Sequence, residues 1–449
     1  MFLGTEEKSI SVFFLRPQKH QHYVTSTIDK LPIVLYNIKN SLEVGFMKII
    51  IKRGTNQIGG CITEVESSKG TKIIIDIGEN LPDSTGKKKP ELEIEGLTKG
   101  IANYQAIFIS HYHGDHIGMY NKILPDIPIY IGEISKEIYN IVQTRLSKAN
   151  ILKKEDLEKI AKFKTFKIKN KIAIRDIEIT PIAVDHSAFD SYMFLVEADG
   201  KRILHTGDFR THGQRGKSVI ESIKKYVGKV DCLICEGTTL TRDNTRILTE
   251  FELQKMAEEI FKKSKYNFVL CSSTNIDRIA AIHKAALNSK KMFVCDNYQC
   301  DILEYITEIS KSGLYKFNDR TNIRATKVYR YSANLLEKMK EQGFVILVRA
   351  NENFEKIIKM FPSNTFIYSQ WLGYLEGNNK DYQRIQKIVP KSYMYLHTSG
   401  HATPEAIKEI IYITNPKYVI PIHTENKQKI KELTNQAIIL EDNEEFYVK

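Results

Sequence analysis

The segment ISHYHGDHIG (residues 109–118) sets His111, His113, Asp115 and His116 within six positions, directly after the apolar run Tyr104 to Ile109. Imidazole and carboxylate together suit zinc or manganese. Further stations of the same chemistry lie downstream: His186 in VDHSAFDS, Asp208 in HTGDFR, His397 and His401 in LHTSGHA, and His423 in PIHTE, while Asp76 ends the run KIIID. Each follows a β-rich run, and strand ends meeting at one sheet edge are a usual way to converge distant ligands. A single histidine is most often a hydrogen-bonded or surface residue. A set of stations this dense is not explained that way, because seven of the twelve histidines fall in four of these short segments, ISHYHGDHIG, VDHSAFDS, LHTSGHA and PIHTE. More than four such ligands exceed the needs of one tetrahedral ion, so the surplus argues for two. A pair of ions about 3.5–4 Å apart can activate water and clamp the oxygens of a phosphoryl centre.

The elements that must position these residues follow from hydrophobic periodicity. Met47 opens MKIIIKRGTNQIGG, a strand followed by a glycine turn, and is read either as the functional start or as the first residue of the folded core. Short β-branched runs recur at residues 61–66, 71–77, 172–184, 192–197 and 202–205, interrupted by helical patterns at 134–147 and 154–162. After about Thr241 the texture becomes helix (250–263), strand (267–271), helix (275–287), strand (292–295) and helix (301–309). This alternation predicts βαβ units and a parallel sheet. Beyond about Asn379 the first texture returns, so the middle segment reads as an insertion. The expected division is an N-terminal extension over 1–46, a first domain over 47–240 and 379–449, and an inserted domain over 241–378.

Composition sets outer bounds. At 449 residues the chain exceeds the size of a single core, and its formal charge of +12 favours a polyanionic partner. No apolar run of about 18 residues and no secretory leader is present, so a cytoplasmic location is expected. Six cysteines make no disulfide framework. Cys232 and Cys235 lie on a strand at odd separation, which points the two thiols to opposite faces and away from shared metal ligation.

HYHGDH, with IIIDIG before it and DHSAFDS, TGDFR, CEGTT, TSGHA and PIHTE after it in that order, resembles the β-CASP nuclease branch of the metallo-β-lactamase fold, and within it the ribonuclease J group. The resemblance covers about Met47 to Lys449, including SSTNIDRIAAIHKAA (272–286) of the inserted segment. It implies an α/β fold: an αββα sandwich with an inserted α/β β-CASP domain built on a parallel sheet. It implies two divalent ions, zinc with manganese as the alternative. His111, His113 and His186 would hold one, Asp115, His116 and His423 the other, and Asp208 would bridge them. Asp76 would orient ligands and water, and Glu236 would hold His401 as the general acid. His397, Ser399 and Gly400 would bind a substrate phosphate. Asp115, His401, Glu236 and Asp76 are thus the expected catalytic set. Histidine at position 423, where the DNA-processing branch has an apolar residue, favours single-stranded RNA as substrate, cut to 5′-phosphate and 3′-hydroxyl products by 5′-to-3′ exonuclease action with endonuclease action retained.

The chain departs from the family pattern in two places. Residues 424–449 leave no room for the C-terminal domain that ribonuclease J proteins carry, which leaves the expected homodimer without its usual basis. The early turn reads NQIGGC where the group has an acidic residue and an asparagine, a change expected to be second-order. The competing readings are a DNA nuclease of the same fold, a small-molecule metallo-hydrolase, which would need neither Glu236, His401 nor the insertion, and a catalytically silent RNA-binding paralogue, which would have lost ligands. Lys87 to Lys89 read as a solvated turn, and Trp371 as a packed aromatic. His20, His22, His205, His212 and His283 are given no role.

Overall fold

The computed structural model describes residues 45–449 except 84, 243–246 and 324–332. The expectation for the N-terminal extension therefore lies outside the described residues, apart from Gly45 and Phe46. Three sheets organise the remainder. The first has seven strands in the spatial order Glu445–Val448, Met47–Arg53, Ile62–Glu66, Lys72–Ile75, Ala106–Phe108, Ile129–Gly132 and Lys164–Phe166. It is antiparallel as far as Lys72–Ile75 and parallel from there on. The second has six, in the order Tyr418–Ile422, Cys232–Glu236, Lys201–His205, Ser191–Ala198, Ile177–Val184 and Ile172–Ile174.

Alternation along the strands builds the layers. Ile73 and Ile75 enter the core between the two sheets while Ile74 faces the helices outside. On the second sheet Phe194 and Ile234 meet that inter-sheet core, while Leu195 and Leu233 pack outward against the helices Gly216–Ser222 and Pro404–Thr414. The result is the metallo-β-lactamase αββα sandwich. Cys232 faces the inter-sheet core and Cys235 the outer layer, opposite faces as their spacing required.

The third sheet is parallel throughout, in the order Arg320–Ile323, Met292–Asp296, Phe344–Val348, Tyr266–Leu270, Thr365–Tyr368 and Met394–Tyr395. Both of its faces are covered, so its strands are apolar on both sides. Val269 and Val345 pack on one face, Phe268 and Ile346 on the other. The helix expected at 301–309 begins at Asn297, because the preceding strand runs straight into it and Asp296 caps the turn by accepting from the Gln299 N–H. Helix Lys380–Ile388 and strand Met394–Tyr395 attach to this sheet. We propose that the insertion extends to about Tyr395, beyond the boundary at 378 suggested by composition. No described helix is long and apolar enough to cross a membrane.

A buried charge network joins insertion to sandwich. Arg210, fully buried, donates from Nε to Asp185 Oδ1 (2.9 Å), from Nη1 to Glu250 Oε1 (3.0 Å) and from Nη2 to Asp277 Oδ2 (3.2 Å). Arg278, also fully buried, grips the same Glu250 through Nε (2.9 Å) and Nη2 (3.1 Å). Burial alone would raise the Glu250 carboxyl, but Arg278 and Arg210 hold it down to about 2.

Removing one member of such a network leaves an uncompensated buried charge. Glu250→Gln is expected to cost about 3–5 kcal/mol, read as a lower urea midpoint at pH 7. Because the folded carboxyl sits below its unfolded value, the gap between wild type and variant should be constant above pH 4.5 and narrow as pH falls toward 2.

Candidate metal centre

The ligand stations converge where the strands of the two facing sheets end. Ala106–Phe108 opens into the loop bearing His111, and a four-residue helix, Gly114–Ile117, follows with His113 at its N-cap and Asp115 in its first turn. Gly78 admits this helix: a Cβ there would lie 1.7 Å from the Asp115 carbonyl oxygen. Asp76 and His423 both adopt left-handed backbone, at φ +61° and +52°. Such a conformation costs a non-glycine residue about 1 kcal/mol or more and signals a position fixed by its surroundings.

Asp208 occupies the middle. Its Oδ2 lies 3.2 Å from His116 Nε2, 3.7 Å from His423 Nε2, and 3.9 Å from both His111 Nε2 and His186 Nε2. His113 Nδ1 stands 3.1 Å from His111 Nε2 and 3.3 Å from His186 Nε2. On the other side, Asp115 Oδ2 is 3.3 Å from His423 Nε2 and 3.9 Å from His116 Nε2. Ligands about 2.0–2.1 Å from a tetrahedral zinc stand about 3.3 Å apart, so these separations fit coordination edges. Two further observations fit a cation. His116 Nε2 and Asp208 Oδ1 are buried without a hydrogen-bond partner, and the donor set, imidazole with carboxylate, is one that zinc accepts.

The outer nitrogens of the rings are fixed. Asp76 Oδ2 sits 2.8 Å from His116 Nδ1 and accepts from the Ser110 hydroxyl (2.8 Å), while Oδ1 accepts from the Ser110 N–H (2.7 Å). Ser110 Oγ in turn lies 3.0 Å from His111 Nδ1. His186 Nδ1 donates to the Gly400 carbonyl (2.6 Å), and His423 Nδ1 meets Thr238 Oγ1 (2.7 Å). Each contact turns the opposite nitrogen toward the centre.

Charge divides the site into two halves. Burial first, and then the neighbouring imidazoles, push His111 well below the ordinary histidine value; burial lowers His186 likewise and His113 to about 4. Burial would also lower His116 and His423, but Asp208 with Asp76 and Asp115 raises His116 well above its usual value, and Asp208 with Asp115 raises His423. Burial would raise Asp208 and Asp115; His423, His116 and His401 hold Asp208 well down, and His116 and His423 hold Asp115 down. One half therefore offers neutral imidazoles, and the other holds protons that a cation must displace.

His401 borders this centre. Its Nδ1 is 3.1 Å from Glu236 Oε2, 3.2 Å from Thr238 Oγ1 and 3.6 Å from Asp208 Oδ2. Glu236, at the end of its strand, is itself held by the Phe209 and Ala402 N–H groups (2.9 and 3.2 Å). The turn before it is anchored from two sides: the Ser399 carbonyl accepts from Arg210 Nη1 (3.1 Å) and His212 Nε2 (2.8 Å), and the Thr398 carbonyl from Arg278 Nη2 (3.2 Å). Ser399 Oγ accepts from the His401 N–H (3.1 Å). His397 stands 3.5 Å from Arg278 Nη1, and burial followed by that guanidinium lowers it to about 3.

All the expected ligands are thus gathered in one place. Four contributors had no assigned role in the sequence: Thr238, inside the quoted CEGTT; His212; the arginine pair; and Cys61. Cys61 is buried beside the second half, and its thiol is pushed well above its ordinary value by burial and then by Asp208, Asp76 and Asp115. Trp371, expected to be packed, is 48% exposed. Lys87 to Lys89 are exposed, as expected.

Comparison with known proteins agrees with this geometry. A model described as beta-lactamase superfamily domain matches residues 71–271, and one described as Zn-dependent metallo-hydrolase RNA specificity domain matches 386–438. The chain is similar to Ribonuclease J of Mycoplasma genitalium, with 26% identity over 81% of this chain and 66% of that protein. Ribonuclease J of Helicobacter pylori strain 26695 is 24% identical over 84% of this chain and 56% of its own length. Ribonuclease J of Pyrococcus abyssi is 24% identical over 89% of this chain and 94% of its own. The chain therefore spans two thirds or less of the first two relatives and nearly all of the third. A solved protein of unknown function from Enterococcus faecalis V583 shares the fold, with a TM-score of 0.70 and 20% identity over 90% of this chain and all of that one.

Asp76 carries a prediction of its own. Asp76→Asn keeps the shape but weakens the hold on His116 and Ser110, and should lower zinc affinity about 10–100-fold in competition with a chromophoric chelator.

Proposed function

We propose that this chain, which carries a β-lactamase superfamily domain and an RNA specificity domain and resembles ribonuclease J in its β-CASP branch, is a metal-dependent ribonuclease. The observation that carries the reading is Asp208 Oδ2 standing 3.2–3.9 Å from four ligand imidazoles, with the His401–Glu236 pair alongside. The proposed centre takes two divalent ions, zinc in preference to manganese: His111, His113 and His186 hold one, Asp115, His116 and His423 the other, with Asp208 shared. When bound, the ions supply a water activated at neutral pH and charge to match a phosphodiester.

The chain's own residues supply the rest. Asp115 and Asp208 orient the attacking water toward phosphorus, and Asp76 keeps His116 and Ser110 in register. In-line displacement expels the 3′ oxygen, which needs a proton. His401 gives it: Glu236 fixes Nδ1, which leaves Nε2 to meet the leaving oxygen. Asp208 Oδ2 lies 3.6 Å from the same Nδ1. His397, kept neutral, contributes a hydrogen bond to a substrate phosphate rather than a charge, with Ser399 and the backbone at Gly400 beside it. The products are a 5′ phosphate and a 3′ hydroxyl.

Single-stranded RNA is the substrate in this reading, with 5′-to-3′ exonuclease action accompanied by internal cutting. The +12 formal charge suits such a polyanion. The resemblance extends the proposal to a cytoplasmic location and a homodimer.

Two measurements test it. A 5′-monophosphorylated RNA labelled at its 3′ end, incubated with zinc or manganese, should give a descending ladder of shorter labelled products. Discrete internal cuts would favour endonuclease action instead, and cleavage only of DNA or a small ester would refute the substrate. His401→Ala should slow cleavage about 10²–10⁴-fold with metal content unchanged, whereas His113→Ala should lose the first ion and activity together.

A further inference from the structure

Cys61 closes the turn after strand Met47–Arg53 and is 1% exposed. Its N–H donates to the Asp115 carbonyl (3.1 Å), and its own carbonyl accepts from the Gly78 N–H (3.0 Å). It is therefore tied directly to the loop that carries Asp115 and to the segment that follows Asp76. A Cβ at Gly54 would meet its sulfur at 3.3 Å and the His423 backbone nitrogen at 3.9 Å, which sets the sulfur close to the strand end that bears His423. Donor atoms of Cys61, His116 and His423 all lie within 4.8 Å of one another. On both imidazoles Nδ1 is already engaged, by Asp76 and by Thr238. The nitrogens left to share a ligand with the thiol are the inner ones, and His116 Nε2 is buried with no hydrogen-bond partner.

We propose that Cys61 is a thiolate ligand of the second ion, alongside Asp115, His116 and His423. The inference rests on the two-ion centre proposed above and names a ligand which that reading omits. Binding breaks the S–H bond and forms a sulfur–metal bond, with the proton passing to solvent. The consequence is selectivity. Thiolate is a soft ligand that favours zinc or cobalt over manganese and magnesium. The alternative is that Cys61 only fills space as a small apolar residue.

Cobalt(II) titration of the metal-free full chain separates the two, because thiolate ligation adds a near-ultraviolet charge-transfer band to the visible d–d bands. The expected result is that band in wild type and in His113→Ala, and its loss in Cys61→Ser, which keeps the d–d bands of the first ion. Cys61→Ser should also lose preference for zinc over manganese at the second equivalent. Visible bands without the charge-transfer band in wild type, or a band that survives in Cys61→Ser, would overturn the assignment while leaving the two-ion centre standing. No cobalt uptake would sink the centre itself, and this ligand with it. None of these readouts depends on RNA cleavage.

Discussion

One carboxylate sets the terms for the whole molecule. Asp208 is 3% exposed and is surrounded by nitrogens of five imidazoles from four chain segments. A buried anion in that position requires compensating cations. Without metal, protons on His116 and His423 meet the need only for the nearer half, while His111, His113 and His186 stay neutral. The strained backbone at Asp76 and His423 and the bare Cα of Gly78 are what bringing so many segments to one point costs. Folding energy is spent in advance on an arrangement that gains its full return when cations bind.

The inserted domain takes part in the same arrangement. Glu250 starts the first helix of the insertion, yet its two oxygens bind Arg210 of the sandwich and Arg278 of the insertion at once. Those arginines go on to hold the carbonyls of Ser399 and Thr398. The turn that presents His397 and His401 therefore hangs from both domains. A rearrangement between sandwich and insertion would be felt at the proposed acid before it reached the ion ligands, which all belong to the sandwich.

Much of this was legible in the sequence because ligand chemistry leaves a local record. HxHxDH after an apolar strand, and single His or Asp stations at later strand ends, announce themselves by residue type. The parallel sheet was legible from periodicity, and the sandwich from the family resemblance that the motifs carry. What escaped did so for definite reasons. Arg210, Arg278 and Glu250 drew no assignment from the sequence, since their partners lie far apart in it and only the fold makes them neighbours. His212 acts through one hydrogen bond to a carbonyl and Thr238 through a hydroxyl shared by two imidazoles, roles that residue type alone does not announce. Cys61 lacks a cysteine or histidine partner nearby in the chain, so spacing gave no hint of its company. Trp371 was expected to pack and is half exposed, because an aromatic at a strand end carries no sign of which side will be covered.

The electrostatics also bear on how a polyanion is admitted. Before metal binding, the carboxylates of Asp76, Asp115 and Asp208 present anionic charge where a phosphodiester would have to sit, offset only by protons on His116 and His423. Cations bound at the proposed centre would reverse that balance. The chain's +12 charge attracts a polyanion at long range whether or not the centre is loaded. Seating of a phosphodiester at Asp208, in the proposed reading, depends on bound cations. A thiolate at Cys61 sharpens this coupling, since it adds anionic charge that only a bound cation can offset.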